Sequence, residues 1–184
     1  MVRRLPGTTI EVSLQSADSA RKLLDNVFMA GGLVLSQVSG LTGLEPYIVQ
    51  NWIKRGFLAP PQHKKYSRRQ FCRVAIINML RDVLQIEKIT NLLSYINGRL
   101  DDESDDIIDD SELYLYCIDA LNGTEGRQIT PESVRGCVVE AVNDFAEPFP
   151  GAKRRLIKVL EVMVYAYFAA AMRNRAEDVI NTLD

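Results

Sequence analysis

Histidine and cysteine, the residues that most often build catalytic and metal sites, are scarce in this chain. Among 184 residues there are one histidine, His63, and three cysteines, Cys72, Cys117 and Cys137, with no CxxC or Cys/His spacing. A catalytic triad or a zinc site needs several such groups together. The sequence also contains no glycine-rich phosphate loop and no nucleophile elbow. We therefore predict no enzymatic activity, no cofactor and no metal, and we interpret the cysteines as reduced and buried.

Long apolar segments are absent as well. The longest apolar run covers residues 162–172, whereas a membrane-spanning helix needs roughly 20 apolar residues. The first residues do not form a secretory signal pattern. Hydrophobic content of 47% and charged content of 25% are ordinary for a globular protein. We predict a cytoplasmic protein with no membrane partner.

The net charge of −2 hides a division between two parts of the chain. Up to Gly98 there are thirteen basic and six acidic residues, which gives +7, so the remainder carries −9. An acidic chain taken as a whole argues against nucleic-acid binding, whereas a basic segment of this size favours it. The division predicts a basic DNA reader joined to an acidic partner domain.

Residues 35–71 have the pattern of two short helices joined by a tight turn. Gly43 is predicted to form the turn, because glycine accepts a positive φ without steric cost. Pro46 lies in the first turn of the second helix, where its missing N–H is tolerated. Val49 and Trp52 follow at helical spacing and are predicted to be core residues. The residues left on the outer face of this helix are Tyr47, Gln50, Asn51 and Lys54.

Basic residues cluster directly after this second helix. The short loop His63-Lys64-Lys65 precedes Ser67, which forms a capping-box pattern with Gln70 and is predicted to open a third helix. Phosphate contact is one interpretation of the cluster and a solvated basic face is the other; its position beside the two-helix unit favours phosphate contact. The predicted DNA contacts are Tyr47, Gln50, Asn51, Lys54, Arg55, His63, Lys64, Lys65, Tyr66, Arg68 and Arg69.

The order of motifs in residues 33–97 resembles the winged helix-turn-helix of the MerR (mercury-resistance regulator) superfamily of bacterial transcription factors. The matching phrases are Thr42-Gly43, Val49 to Trp52, Gly56-Phe57-Leu58-Ala59-Pro60 and Lys65-Tyr66-Ser67. The whole chain also resembles a small uncharacterised bacterial family with a domain of unknown function, which shares the YSRRQ and IINML phrases. Two departures from the MerR pattern are Gln50, where arginine is common, and a short wing. The resemblance implies a DNA-binding regulator that acts as a homodimer on double-stranded DNA.

An acidic run, DDESDDIIDDSE, covers residues 101–112. Carboxylates suit calcium, but the spacing lacks the central glycine of an EF-hand loop. Charge patterning instead predicts a solvated linker and a domain boundary.

Beyond the acidic run, the pattern is entirely helical. A helix is predicted to open at Thr130-Pro131, and the longest helix is predicted to begin near Ala152. Apolar residues recur along this longest helix at the spacing of a packing stripe, which predicts a homodimer contact. The predicted interface residues are Leu156, Val159, Leu160, Met163, Val164, Tyr167, Phe168 and Ala171.

These observations predict an all-α, mainly helical protein. Its predicted parts are an N-terminal arm and covering helix (1–32), a winged helix-turn-helix (33–98), an acidic linker (99–112) and a helical dimerisation or effector domain (113–184). The predicted function is transcription regulation through DNA binding, with a small-molecule or protein effector as a further partner of the last domain. The alternative is a protein-interaction adaptor that keeps the fold without binding specific DNA. In either case the acidic domain could shield the basic face.

Overall fold

The computed structural model describes residues 2–13, 17–100 and 102–183. These residues form a mainly helical protein, which confirms the predicted class. The elements are β1 (Val2–Arg4), β2 (Glu11–Ser13), α1 (Ala17–Phe28), α2 (Leu35–Thr42), α3 (Pro46–Lys54), α4 (Arg68–Leu80), α5 (Ile86–Asn97), a single 3-10 turn (Glu103–Asp105), α6 (Asp110–Gly123), α7 (Pro131–Ala141) and α8 (Ala152–Ile180). Within the described ranges, none of the helices is both long enough and apolar enough to cross a bilayer.

The N-terminal segment forms a small antiparallel hairpin that packs on the helices. β1 pairs with β2 in the register Arg3 opposite Val12. Gly7, with φ +69°, lies against α4, where an added Cβ would be 2.0 Å from the carbonyl oxygen of Ala75. The hydroxyl of Tyr114 on α6 donates to the carbonyl of Pro6 at 2.6 Å. These contacts fix the segment against both halves of the chain.

Helices α2 and α3 meet at the predicted turn. Gly43 has φ +70° and its N–H donates to the carbonyl of Ser39, which ends α2. Pro46 occupies the first turn of α3, as predicted. The inner face of α3 is buried through Val49 and Trp52, which are 0% and 4% exposed. The side-chain amide of Asn78 on α4 donates to the Thr42 carbonyl at 2.9 Å and holds the end of α2 in place.

Residues 62–65 form a tight two-residue hairpin, which we call the basic hairpin. Gln62 pairs with Lys65 across the turn, and the two residues between them, His63 and Lys64, have φ values of +48° and +64°. Two consecutive positive φ angles are the pattern of a type I′ turn, which suits the twist of a hairpin. Tyr66 then exchanges two backbone hydrogen bonds with Leu33, at 2.7 and 3.0 Å, and this pairing ties the hairpin to the segment before α2.

Helix α4 is the centre of the core. Its N-terminus carries the predicted capping box, with the Gln70 N–H donating to Ser67 Oγ at 3.2 Å and the Ser67 N–H donating to Gln70 Oε1 at 2.9 Å. From Phe71 to Leu80 every residue except Asn78 is buried. Helices α2, α5, α6 and α8 all contact it. A single apolar core therefore runs through both the basic and the acidic parts of the chain.

The prediction of a solvated acidic linker is wrong for residues 106–112, whereas Ser104 and Asp105 are exposed. Ile107 and Ile108 are 6% and 7% exposed, and Asp110, at 1%, is among the most buried polar residues. Asp109 caps α6, since its carboxylate accepts from the N–H of Ser111 at 2.7 Å. Asp101, the first residue of the run, lies outside the described residues. The charge pattern failed at Asp106 and Asp110 because their cationic partners, Arg69 and Arg73, each lie 37 residues away in sequence.

The C-terminal helices form as predicted, but the apolar stripe has a different role. Helix α7 opens at the Thr130-Pro131 cap, and α8 begins at Ala152. Of the eight predicted interface residues, Ala171 is exposed, and Tyr167 and Phe168 are half-buried. The other five are buried inside the chain: Leu156, Val159, Leu160, Met163 and Val164. This corrects the predicted dimer interface, because most of the stripe already packs against α4, α5, α6 and α7.

Candidate nucleic-acid interface

The outer face of α3 presents an exposed polar surface. Tyr47 is 67% exposed, and Gln50, Asn51 and Lys54 are exposed as well. The burial of Val49 and Trp52 on the opposite face sets the rotation of the helix. A helix held in this way offers hydrogen-bonding side chains, an aromatic ring and a cation to any groove it enters.

Arg55, which follows the last turn of α3, is exposed but already engaged. Its Nη2 donates to Glu87 Oε1 at 2.7 Å, and its guanidinium lies 4.5 Å from the centroid of the Phe57 ring. An exposed ion pair of this kind contributes little, about 0–1 kcal/mol. Arg55 is therefore positioned beside the outer face of α3 without being strongly held there.

The basic hairpin places three predicted contacts at the surface. His63, Lys64 and Lys65 are all exposed. Lys64 lies at the turn itself, and Lys65 Nζ makes a long hydrogen bond, 3.4 Å, to the carbonyl of Ala30. Exposed lysines on a rigid turn can approach a polyanion without first breaking a buried contact.

Tyr66 does not belong to this exposed set. It is 2% exposed, and burial raises the pKa of its hydroxyl above the ordinary value. This corrects the prediction of Tyr66 as a DNA contact, because the side chain is buried. The residue holds the basic hairpin to Leu33 instead.

Arg68 and Arg69 are also only partly exposed, because both form ion pairs within the chain. Arg68 Nη1 donates to Asp25 on α1 at 2.5 Å, and Arg69 Nη2 pairs with the carboxylate of Asp106 in the acidic run. Their side chains are only 24% and 19% exposed. This corrects their predicted role, because their charges are balanced by carboxylates that lie about 40 residues away in sequence, beyond the reach of a local pattern.

A buried ion pair behind these arginines went unpredicted. Arg73 Nη1 donates to Asp110 Oδ2 at 3.1 Å, and Asn97 Nδ2 donates to Asp110 Oδ1 at 3.0 Å. Arg73 also donates from Nε to the carbonyl of Phe57 at 3.0 Å. The arrangement links the end of the α3 segment, α4, α5 and the acidic run. The one sign of this ion pair in the sequence is Arg73 itself, an arginine within the otherwise apolar pattern of α4.

A cavity of about 600 Å³ lies between the basic hairpin, the end of α1 and the start of α4. Five of the predicted DNA contacts line this cavity, whereas the residues on the outer face of α3 do not line it. The predicted DNA contacts that line the cavity are His63, Lys65, Tyr66, Arg68 and Arg69. In the described part of the chain, no cluster of histidine, cysteine, aspartate and glutamate could hold a metal ion.

The three cysteines are buried, as predicted. Burial raises the pKa of the Cys117 thiol to about 12 and also raises the pKa of the Cys72 thiol. Because the thiolate is the reactive form, neither residue is activated for chemistry.

Comparison with known proteins identifies a family but not an activity. The sequence profile of "Domain of unknown function (DUF1836)" matches residues 23–117, just over half of the chain. The chain is 30% identical over 95 residues to "Uncharacterized protein YkrK" of Bacillus subtilis (strain 168). That match covers 48% of this chain and 41% of the relative, so the chain spans well under half of the relative's length. No solved structure matches.

Proposed function

We propose that this chain, which belongs to the DUF1836 family of domains of unknown function, is a DNA-binding transcriptional regulator of the MerR-like winged helix-turn-helix type. The observation that carries the proposal is the exposed polar face of α3, on a helix whose inner face is fixed by Val49 and Trp52 behind the Gly43 turn. The basic hairpin that follows takes the place of the wing. The predicted membership of an uncharacterised family is confirmed by the family match. That the protein binds DNA is our own inference.

In this proposal the outer face of α3 reads bases and the basic hairpin contacts phosphates. Gln50 and Asn51 can each pair bidentately with adenine, which gives about 1–3 kcal/mol of discrimination per good pair. Lys54, Lys64 and Lys65 supply the exposed positive charge near these residues in sequence. Three phosphate contacts in each subunit correspond to a logarithmic salt slope of roughly −3 per subunit and −5 to −6 per dimer.

The proposed regulator is a homodimer that uses a face of α8 other than the predicted stripe. Every residue from 172 to 183 is exposed. Along the exposed side of α8, apolar residues recur at spacings of three and four residues in turn. This second apolar stripe consists of Val162, Tyr165, Ala169, Met172, Ala176 and Val179. Such spacing is the a/d repeat of a coiled coil, so a second copy of the same helix fits it.

The position of the α8 tail supports this arrangement. Arg173 donates to the carbonyl of Asp82, after α4, at 2.6 Å, which holds the tail near the DNA-reading half of the chain. The substitution Met172→Glu should convert dimers to monomers in analytical ultracentrifugation, and Asn174→Glu, off the stripe, should not. Half-sites should lie about 34–36 Å apart or a multiple of that. A monomeric wild type, or a dimer unaffected by Met172→Glu, would place the interface elsewhere.

One observation favours a protein-interaction adaptor as the second candidate. Arg68, Arg69 and Arg73 face carboxylates inside the chain, so the exposed basic surface is smaller than the sequence indicates. An adaptor would keep α3 as a protein-binding helix, with the exposed ring of Tyr47 as an anchor. Selection of bound fragments from bacterial genomic DNA separates the two: the regulator enriches a sequence motif, and the adaptor enriches none.

A further inference from the structure

We propose that the first two turns of α8 bind phosphates of the DNA backbone next to the site that α3 reads. Arg154 and Lys158, which are exposed, and the half-buried Arg155 form this surface, which we call the α8 basic face. The inference rests on the proposed function and extends it, because it assigns a DNA contact to the acidic half of the chain. None of the three residues belongs to the helix-turn-helix pattern or to the apolar stripes of α8.

The cations of the α8 basic face have no carboxylate partners. In the described part of the chain, none of the three side chains forms an ion pair. By contrast, Arg127, Arg135 and Arg173 in the same half of the chain each pair with a glutamate or an aspartate. A cation without an internal partner can contact a phosphate without first giving up an ion pair.

The helix itself disfavours positive charge at this position. Arg154 lies in the first turn of α8, where the helix dipole repels cations. Lys158 follows it by four residues, a spacing at which like charges repel each other. The nearby carboxylate of Glu147 is already used, since it accepts from the N–H groups of Gly151 and Lys153 at 2.9 and 3.1 Å. A cluster of charge that the local structure disfavours points to a partner outside the chain.

Arg155 attaches the α8 basic face to helix α5. Its guanidinium lies 4.5 Å from the centroid of the Tyr95 ring, and Tyr95 is 40% exposed. A cation-π contact positions the guanidinium without neutralising its charge. Arg155 can therefore still attract a phosphate, and the hydroxyl of Tyr95 is a further hydrogen-bond donor of the kind that contacts DNA phosphates.

Helix α5 places this surface beside the proposed DNA interface. At the start of α5, Glu87 accepts from Arg55, which follows α3. Beyond the end of α5, Leu100 lines the same cavity as the basic hairpin. Tyr95 follows Glu87 by eight residues, or about 12 Å along a helix, which corresponds to roughly three to four base pairs of DNA. The backbone of a duplex held by α3 is therefore within reach of the α8 basic face.

Fluorescence anisotropy over a salt series tests this surface with a labelled duplex of about 40 base pairs, roughly 136 Å long. Two contacts per subunit, added to those of α3 and the basic hairpin, should steepen the logarithmic salt slope of a dimer to about −9 on a duplex of this length. Arg154→Gln and Lys158→Gln should each reduce the slope by about one unit per subunit, and together by about two. Both changes are on exposed side chains, so the fold should be retained.

Arg135→Gln is the matched control, because it removes the same charge from an arginine that already pairs with Glu161 at 2.9 Å; the slope should not change. If Lys64→Ala reduces the slope and the double variant of Arg154 and Lys158 does not, the inference is overturned while the proposed function stands. An acidic protein partner for this surface would give that same result. If only the double variant reduces the slope, the α8 basic face contacts DNA and the basic hairpin does not. A wild type that does not bind the duplex would contradict both proposals.

Discussion

Removing the charge of Asp110 should destabilise the protein strongly, although the residue lies in a run that reads as a solvated linker. Asp110 is 1% exposed and Arg73 is 5% exposed. The carboxylate accepts from Arg73 at 3.1 Å and from Asn97 at 3.0 Å. The substitution Asp110→Asn keeps the size of the side chain but leaves the guanidinium of Arg73 buried beside a neutral group.

The expected loss follows from the burial of this pair. Breaking a buried ion pair by removing one partner costs about 3–5 kcal/mol. An asparagine oxygen can still accept one hydrogen bond from Arg73, so we expect a loss of about 3 kcal/mol, at the lower end of that range. With a urea m-value of about 1–3 kcal/mol/M, the unfolding midpoint should fall by roughly 1–3 M.

Urea titrations followed by far-UV circular dichroism, at one fixed protein concentration, measure this loss. Asp178→Asn on the exposed end of α8 is the matched control and should shift stability by less than about 0.5 kcal/mol. In the double variant Arg73→Met with Asp110→Leu, the total loss should be smaller than the sum of the two single losses, because no charge is left buried alone. A change below about 0.5 kcal/mol for Asp110→Asn would refute the account of the acidic run as part of the core.

Three further predictions concern the basic hairpin, the outer face of α3 and the half-buried Asp119. Lys64→Ala should weaken binding to all DNA sequences alike and reduce the salt slope by about one unit per subunit, whereas Arg68→Ala should leave the slope unchanged because its charge is already paired; fluorescence anisotropy over a salt series measures both. Gln50→Ala should relax base preference at one position of each half-site in a DNA selection experiment, with the salt slope unchanged, and an unaltered motif would exclude a base contact. Burial, with Asp144, Asp18 and Glu112 nearby, raises the pKa of Asp119 to about 6. The folded state therefore resists its ionisation, so Asp119→Asn should raise the thermal unfolding midpoint at pH 7.5, and the gain should shrink as pH falls through 6 and vanish below about pH 4.

The parts of the fold that the sequence predicted are those specified by local chemistry. The turn at Gly43, the capping box of Ser67 with Gln70 and the start of α8 at Ala152 each depend on a few neighbouring residues. In these places the backbone conformation or an unpaired N–H demands a particular residue type. The outer face of α3 was predictable for the same reason, since helical periodicity separates it from Trp52.

The errors arose where partners are distant in sequence. Arg68 and Arg69 look like a phosphate clamp until the fold brings Asp25 and Asp106 against them. The acidic run looks solvated because no local signal identifies Arg73 as its buried partner. The apolar stripe of α8 could be recognised as a packing surface, but the sequence did not indicate whether the partner was the same chain or a second copy.

The measurement that tests the central claim most directly is binding of the purified protein to a labelled duplex of arbitrary sequence across a salt series. If the outer face of α3 and the basic hairpin contact DNA, the dissociation constant should lie at about 10⁻⁴ to 10⁻⁶ M near physiological salt, with a logarithmic salt slope of roughly −5 to −6 for a dimer. Lys64→Ala and Lys65→Ala together should reduce that slope by about two units per subunit. Absence of binding at low salt, or binding with a slope near zero, would contradict the account and favour the adaptor.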